Sequence, residues 1–209
     1  QPSVMLIIPA KNESSVVYET ARAINELEYP REKLQVVMVN DGSDDDTGYW
    51  MDKCVTDFDY HVIHLEDNLG KRQAIARAME INSSEITVLV DSDSALEKSS
   101  ILEGLRGFIS PKVAAICGHT DVDNSKSTWL TKMQAQQYFI AFKTFKSLES
   151  FFGSVICCSG AFSMYRTDVI KPLMGEWTTQ KFLGTVRTFG DDRGLTNLLL
   201  RDGHNIIYL

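Results

Sequence analysis

The sequence predicts an α/β fold with a mixed, mainly parallel central sheet flanked by helices. Three observations predict it. Short runs rich in Val, Ile and Leu recur at residues 4–8, 34–39, 60–65 and 86–90, separated by stretches long enough for a helix. These runs are apolar on both faces, as strands covered by helices on both sides of a parallel sheet are. Each run also ends abruptly in polar residues, and in such sheets ligands bind beyond the carboxyl ends of the strands.

The first strand, 4–8, closes on Pro9-Ala10-Lys11-Asn12-Glu13, and a helix over about 15–27 follows. Tyr29-Pro30 stops that helix, because proline disfavours helical geometry in the residue before it. The second strand ends in Asn40-Asp41-Gly42-Ser43, ahead of acids at 44–46 and a short helix. After the third, Asn68-Leu69-Gly70-Lys71-Arg72 opens a helix to about Asn82. The fourth ends in Asp91-Ser92-Asp93. Strand alternation would send Asp91 and Asp93 to one side and Ser92 to the other. Ser100-Ile101-Leu102-Glu103 has the form of a capping box for a helix ending near Ile109, and 113–118 reads as a strand. An extended helix over 128–152 carries Trp129, Met133, Phe139, Phe142, Phe145 and Leu148 in a roughly helical stripe, assigned to the core; a membrane-adjacent face has the same pattern. A strand at 162–165 and a helix from Gly190-Asp191-Asp192-Arg193 to about Asp202, with Gly203 as its left-handed cap, complete the series.

At 209 residues and 44% hydrophobic, the chain has material for one domain with a substantial core. A net charge of -7 argues against a general binder of nucleic acid or anionic membranes, so any phosphate handling is local. Cys54, Cys117, Cys157 and Cys158 contain no C-x-x-C pair, which indicates reduced thiols rather than a disulfide framework or structural zinc. No apolar run approaches the roughly 20 residues that span a bilayer.

The polar strand ends form a set. Asp41 has the chemistry to accept from a base imide, Lys71 and Arg72 to face a diphosphate, and Asp91 and Asp93 to share a hard cation, Mg²⁺ or Mn²⁺, with it. Each has an ordinary explanation alone: Asp41 as a turn former, Lys71 and Arg72 as solvated charges, Glu13, Asp191 and Asp192 as helix-start acids. Their shared position after successive strands is what points to a nucleotide-diphosphate pocket. Asp191-Asp192 exceeds what a cap requires, and one of the two has the makings of a general base.

P-A-K-N-E from Pro9, V-N-D-G-S from Val39, N-L-G-K-R from Asn68, D-S-D from Asp91, C-C-S-G from Cys157 and G-D-D-R from Gly190, in this order along nearly the whole chain, resemble the family 2 glycosyltransferases of GT-A fold. T-Q-K-F-L-G from Thr179 and G-D-D-R-x-L-T-N from Gly190 are most similar to hyaluronan synthases. Nodulation-type chitin-oligosaccharide synthases, which usually carry glutamate at the position of Asp191, are the nearest alternative.

The resemblance implies an inverting, metal-dependent transfer of sugar from a UDP-sugar to a growing β-linked polysaccharide. The donors would be UDP-GlcNAc and UDP-GlcA, or UDP-GlcNAc alone. It makes Asp192, with Asp191, the catalytic pair, Asp41 the uracil contact, and Lys71 and Arg72 the nucleotide and diphosphate contacts. Asp93 and Asp91 become the ligands of Mg²⁺ or Mn²⁺, and Pro9, Ala10, Glu13, Ser92 and Arg193 join the substrate-binding set. Cys158, Ser159 and Gly160 border the acceptor site, and Trp177 opens a mobile segment running to Gly184.

Ala161 departs from the proline common in hyaluronan synthases. The Q-x-x-R-W motif and the transmembrane helices of processive members do not occur in this sequence. The expectation is therefore a catalytic domain cut from a longer membrane protein, working at the cytoplasmic face and partnered by its own missing helices. A nucleotide-binding module without catalysis is the rival, against which stands an acid set that mere binding does not need. A dinucleotide dehydrogenase is poorer, since no G-x-G-x-x-G follows the first strand.

Overall fold

A computed structural model of the chain describes residues 1–14, 16–186 and 189–209. VMLIIPA forms β1 (Val4–Ala10), buried along its whole length. The following helix, α1 (Val17–Asn25), buries Val17, Thr20, Ala21 and Ile24, one face of a 3.6-residue repeat; its expected start at Ser15 lies outside the described residues. Then come β2 (Leu34–Asp41), α2 (Thr47–Phe58), β3 (His61–Leu65), α3 (Lys71–Ile81) and β4 (Ile86–Leu89). The second half contains α4 (Ser100–Arg106), β5 (Val113–Cys117), α5 (Trp129–Phe139), a π-helical stretch (Ile140–Lys146) and α6 (Ser147–Phe151). Last come β6 (Ser163–Arg166), α7 (Thr167–Ile170), α8 (Met174–Thr178), a small hairpin of β7 (Lys181–Phe182) and β8 (Thr185–Val186), α9 (Asp191–Arg201) and β9 (Asn205–Tyr208).

The main sheet has seven strands in the order β3-β2-β1-β4-β6-β5-β9. β1 runs parallel to both β2 and β4, while β6 is antiparallel to β4 and β5. The predicted mixed, mainly parallel sheet is therefore the one observed. From β1 the chain moves outward through β2 and β3, then returns to place β4 on the other side. This reversal opens a crevice at the carboxyl ends of β1 and β4. Alternation along β1 divides the core: Leu6 and Ile8 pack with Ala21, Met38 and Met51 on one face of the sheet. Met5 and Ile7 pack with Val37, Ala74, Ile75 and Leu199 on the other. Gly203, at φ +81°, ends α9 in the left-handed conformation expected of it.

Two sequence expectations need correction. The expected capping box at Ser100 does not form: Ser99 is the N-cap and makes no side-chain cap bond, and the buried Ser100 hydroxyl has no partner among the described residues. Glu103 instead pairs with Arg106. More consequentially, the aromatic stripe of the long helix is not core. Trp129, Met133, Phe139, Phe145 and Leu148 are 51–75% exposed, and of the six only Phe142 is buried. Phe142 lies in the π-helical stretch, stacked on Tyr138 and edge-on to His119. The other five spread around the helix at about 100° per residue, and the face of β5, β6 and β9 that carries Ala115, Cys117, Tyr165 and Ile206 is already covered by Phe142, Val155, Ile170 and α9. Among the described residues, no helix is long and apolar enough to cross a membrane.

Candidate active site

A cleft of about 410 Å³ opens above the carboxyl ends of β1, β2 and β4, lined by Pro9, Ala10, Lys11, Glu13, Asp41, Asn68, Gly70, Lys71, Asp91, Ser92 and Asp93. Asp41 ends β2 almost fully buried, and its two carboxylate oxygens accept from the backbone N–H groups of Leu69 (2.8 Å) and Gly70 (2.9 Å). It therefore fixes the loop that delivers Lys71 to the cleft. Gly70 at φ +89° makes the turn into α3, a conformation only glycine adopts without strain.

β4 stops at Leu89, two residues short of the acidic motif, so strand alternation does not govern it. Asp91, Ser92 and Asp93 instead form a turn, with Ser94 N–H donating to the Asp91 carbonyl (3.1 Å). All three line the cleft, Ser92 included, and the Ser92 carbonyl is pinned by the Thr20 hydroxyl (2.7 Å). Asp93 is exposed, and Glu13 lies close enough that partial burial, Asp93 and Asp45 together raise its pKa above the usual carboxylate value.

Lys71 Nζ meets Asp91 Oδ1 at 2.5 Å. Burial pulls the Lys71 pKa down, but Asp91, Asp192 and Asp191 outweigh it and leave the ammonium more firmly protonated than usual. Beneath this pair is a second, tight pocket of about 10 Å³, room for about one water, bordered by Pro9, Lys71, Asp91, Gly160, Tyr165, Trp177, Asp191 and Asp192. Pro9, Lys71 and Asp91 border both spaces. The Asp192 carboxylate accepts from Gly160 N–H at 3.0 Å. Burial raises its pKa against the pull of Lys71 and the Gly160 bond, with Asp91 and Asp191 adding to the rise. A Cβ on Gly160 would lie 2.8 Å from Lys71 Nζ and 2.9 Å from Asp91 Oδ1, so a side chain here would push the ends of this pair aside.

Arg72 departs from its expected place against a diphosphate. Successive helical residues point about 100° apart, so with Lys71 in the cleft Arg72 turns inward. It is 5% exposed, and its Nε lies 2.5 Å from Asp191 Oδ1. Removing one member of such a buried pair leaves an uncompensated charge, at a cost of about 3–5 kcal/mol.

Trp177 is likewise not the opening of a loose segment. It is 1% exposed, and its indole N–H donates to the Asp191 carbonyl (3.1 Å), whereas Phe182 and Leu183 beyond it are exposed. Cys158 is fully buried, with its N–H on the Thr196 hydroxyl (3.1 Å), so of C-C-S-G it is Gly160 that reaches the pocket. Ser159 borders neither space, and Arg193 faces solvent. Lys11, which holds the Gly42 carbonyl (2.9 Å), and Tyr165 went unnoticed in the sequence. Lys11 sits inside the P-A-K-N-E run, whose place after β1 is the signal for it; Tyr165 lies on a buried strand, which gives none.

The metal expectation is testable on the donor set. Among the described residues no group of three or more His, Cys, Asp or Glu is arranged to hold a metal ion. Two aspartates on one cleft wall, one of them already bonded to Lys71, supply hard oxygen donors but too few for a closed site. That fits Mg²⁺ or Mn²⁺ taking one or two carboxylates and completing its shell on phosphate oxygens.

Residues 2–209 match the family model described as glycosyltransferase-like family 2. The chain belongs to glycosyltransferase family 2. An N-acetylglucosaminyltransferase of Azorhizobium caulinodans is 34% identical over all of this chain and 53% of its own length, and one of Rhizobium meliloti is 33% identical over all of this chain and 49% of its own. Hyaluronan synthase 3 of Mus musculus is 34% identical, but over 66% of this chain and 26% of its own length. The expected order of the two sub-families is thus reversed among these relatives. The family 2 chain spans about half the length of the rhizobial relatives it matches. Two solved structures share the fold: the mannosyltransferase PcManGT of Pyrobaculum calidifontis in complex with GDP-Man and Mn²⁺ (TM-score 0.78, 20% identity, 100% of this chain and 55% of that one), and S. aureus TarS 1-349 in complex with UDP-GlcNAc (TM-score 0.72, 18% identity, 99% and 56%).

Proposed function

We propose that this site transfers N-acetylglucosamine from UDP-GlcNAc, with inversion, to the hydroxyl group of a growing β-linked polysaccharide. The observation that carries the reading is the common border of cleft and pocket, Pro9, Lys71 and Asp91, with a cation on it and a carboxylate of raised pKa, Asp192, just beyond. Lys71 binds a diphosphate oxygen and stabilises charge as the UDP departs. Asp192, fixed by Gly160 and kept more basic than a solvated aspartate, takes the proton of the acceptor hydroxyl as that oxygen attacks the anomeric carbon from the face opposite UDP. Asp93 and Asp91 are the residues to hold Mg²⁺ or Mn²⁺, which when bound neutralises diphosphate charge; a neighbour of the same fold carries Mn²⁺. The uracil end lies toward Asp41, whose loop shapes the far wall of the cleft.

The choice of donor is supported by rhizobial N-acetylglucosaminyltransferases that match along the whole chain. A second reading, hyaluronan synthesis from UDP-GlcNAc and UDP-GlcA, is favoured by Asp191, where nodulation-type enzymes usually have glutamate. In both, the domain works at the cytoplasmic face of a membrane whose helices carry the polymer. Membranes holding the intact protein, given the two donors singly and together, separate them. UDP-GlcNAc alone should yield a chitinase-sensitive product. A polymer that needs both donors and yields to hyaluronidase overturns the donor choice, and UDP binding without transfer from either leaves a nucleotide-binding module.

A further inference from the structure

The Arg72 guanidinium is held by three groups that lead to Asp192. Its Nε donates to Asp191 Oδ1 (2.5 Å), one terminal nitrogen to the Phe189 carbonyl (3.1 Å) and the other, at 3.4 Å, to the Trp177 carbonyl. Its carbon centre lies 5.9 Å from the middle of the Trp177 ring. Trp177 closes the loop through its bond to the Asp191 carbonyl, and one turn into α9 Gly194 packs against the same group: a Cβ there would lie 2.7 Å from Gln180 Oε1 and 3.3 Å from Trp177 Nε1, and in ordinary contact with Arg72 Nη2 at 3.4 Å.

A guanidinium is planar and its donors point in fixed directions, so three acceptors on one guanidinium are fixed relative to each other. Here they belong to the end of α8, the turn before α9 and the first residue of α9. The residue after Asp191 is Asp192, and the residue before Arg72 is Lys71. One side chain therefore ties the start of the helix bearing the diphosphate cation to the start of the helix bearing the base. It also neutralises Asp191 from behind. Otherwise Asp191, Asp192 and Asp91 would crowd three negative charges around Lys71 alone, and repulsion would drive the carboxylates apart.

We propose that Arg72 is a positioning residue for the transfer reaction: a buried strut that acts through Asp191 and the Phe189 and Trp177 carbonyls to hold Asp192 at a set distance from Lys71 and the diphosphate. The inference rests on the transfer reading above and adds to it a residue that touches neither donor nor acceptor.

The test compares UDP affinity, by calorimetry, with the sugar-transfer rate of the intact protein carrying Arg72→Lys, Arg72→Met, Asp191→Asn, the Arg72→Met/Asp191→Asn pair, or Lys71→Met. Lysine keeps the charge and lacks the fork. Arg72→Lys should leave the UDP Kd within about twofold and lower kcat by about 10- to 100-fold, the scale of loss when a catalytic group is displaced by an ångström or less. Lys71→Met, by contrast, should weaken UDP binding. The double variant should be no slower than Arg72→Met alone, within about twofold, because both changes cut one path. A wild-type rate in Arg72→Lys, a UDP Kd raised as far as in Lys71→Met, or losses that multiply in the double variant would each overturn the strut. Should Arg72→Met not fold, Arg72→Lys decides alone. A wild-type protein that binds UDP and transfers nothing overturns the transfer reading and this inference with it; normal wild-type transfer beside an equally fast Arg72→Lys overturns the strut only.

Discussion

At the strand ends Asp41 and Arg72 are 4% and 5% exposed, while along the helical segment 129–151 Trp129, Phe145 and Phe151 are 75%, 60% and 83% exposed. The two regions reverse the usual sorting of polar and apolar groups in opposite senses. A buried charge is costly unless partnered, and at the strand ends the partners are present: loop amides for Asp41, a carboxylate and two carbonyls for Arg72. Exposed aromatics need no partner to be tolerated singly, but a run of them is unusual on a lone domain. The contrast separates a region whose arrangement is specified from within from one whose composition no contact among the described residues explains. Function should therefore respond to single changes at the strand ends, and folding should hardly respond along most of the helix.

The largest effect belongs to the strand ends. Asp192→Asn should lower transfer by about 10²- to 10⁴-fold, the usual worth of a general base, with UDP affinity unchanged; initial rates beside calorimetry check both. Transfer that survives would return the pocket to the same standing as the exposed helix.

Next is a pair within the helical segment itself. Phe142→Ala should cost about 3–5 kcal/mol in urea unfolding, because it empties a packed site, while Phe151→Ala should stay within about 0.5 kcal/mol. Equal losses would erase the distinction drawn from exposure. Asp93→Ala should weaken Mn²⁺-dependent UDP binding by about tenfold or more; an unchanged titration would remove Asp93 from the cation.

The smallest effect is on stability against pH. Burial raises the Asp192 pKa above 3.8, so between its unfolded and folded values the native state holds more protons, and its stability falls as pH rises through that window. Asp192→Asn abolishes that loss. The variant should melt higher than the wild type at neutral pH, and the difference should vanish below pH 3.8, where the wild-type Asp192 carboxyl is protonated in the folded and the unfolded state alike. A lower melting temperature at neutral pH would show that the buried carboxylate is a net support rather than a burden.

Much of this was legible in the residues. Apolar runs bounded by turn formers give away β1 to β4, and the polar ends of these strands give away the cleft wall, because a parallel sheet leaves its ligand edge no other place. Lys71 and Asp91 follow from that alone. Arg72 was misread by treating neighbours in sequence as neighbours in direction, although a helix turns them apart. The burial of Trp177 and Cys158 is decided by α9, distant in sequence, which leaves Trp177 on the pocket wall and Cys158 off it. The stripe at 129–148 failed for a different reason: at about 100° per residue its six side chains spread around the helix rather than along one face, so no single sheet face could bury them. The bonds of Asp191 to Arg72 and to the Trp177 indole depend on such long-range closure too.

The most direct test of a single donor-and-base site is a structure of the intact protein with UDP-GlcNAc and Mn²⁺ bound. The diphosphate should lie within hydrogen-bonding distance of Lys71 Nζ, with the anomeric carbon toward Asp192 and Arg72 still bonded to Asp191. A nucleotide seated away from Lys71, or an Arg72 that has left Asp191 to grip the phosphates, would contradict the account.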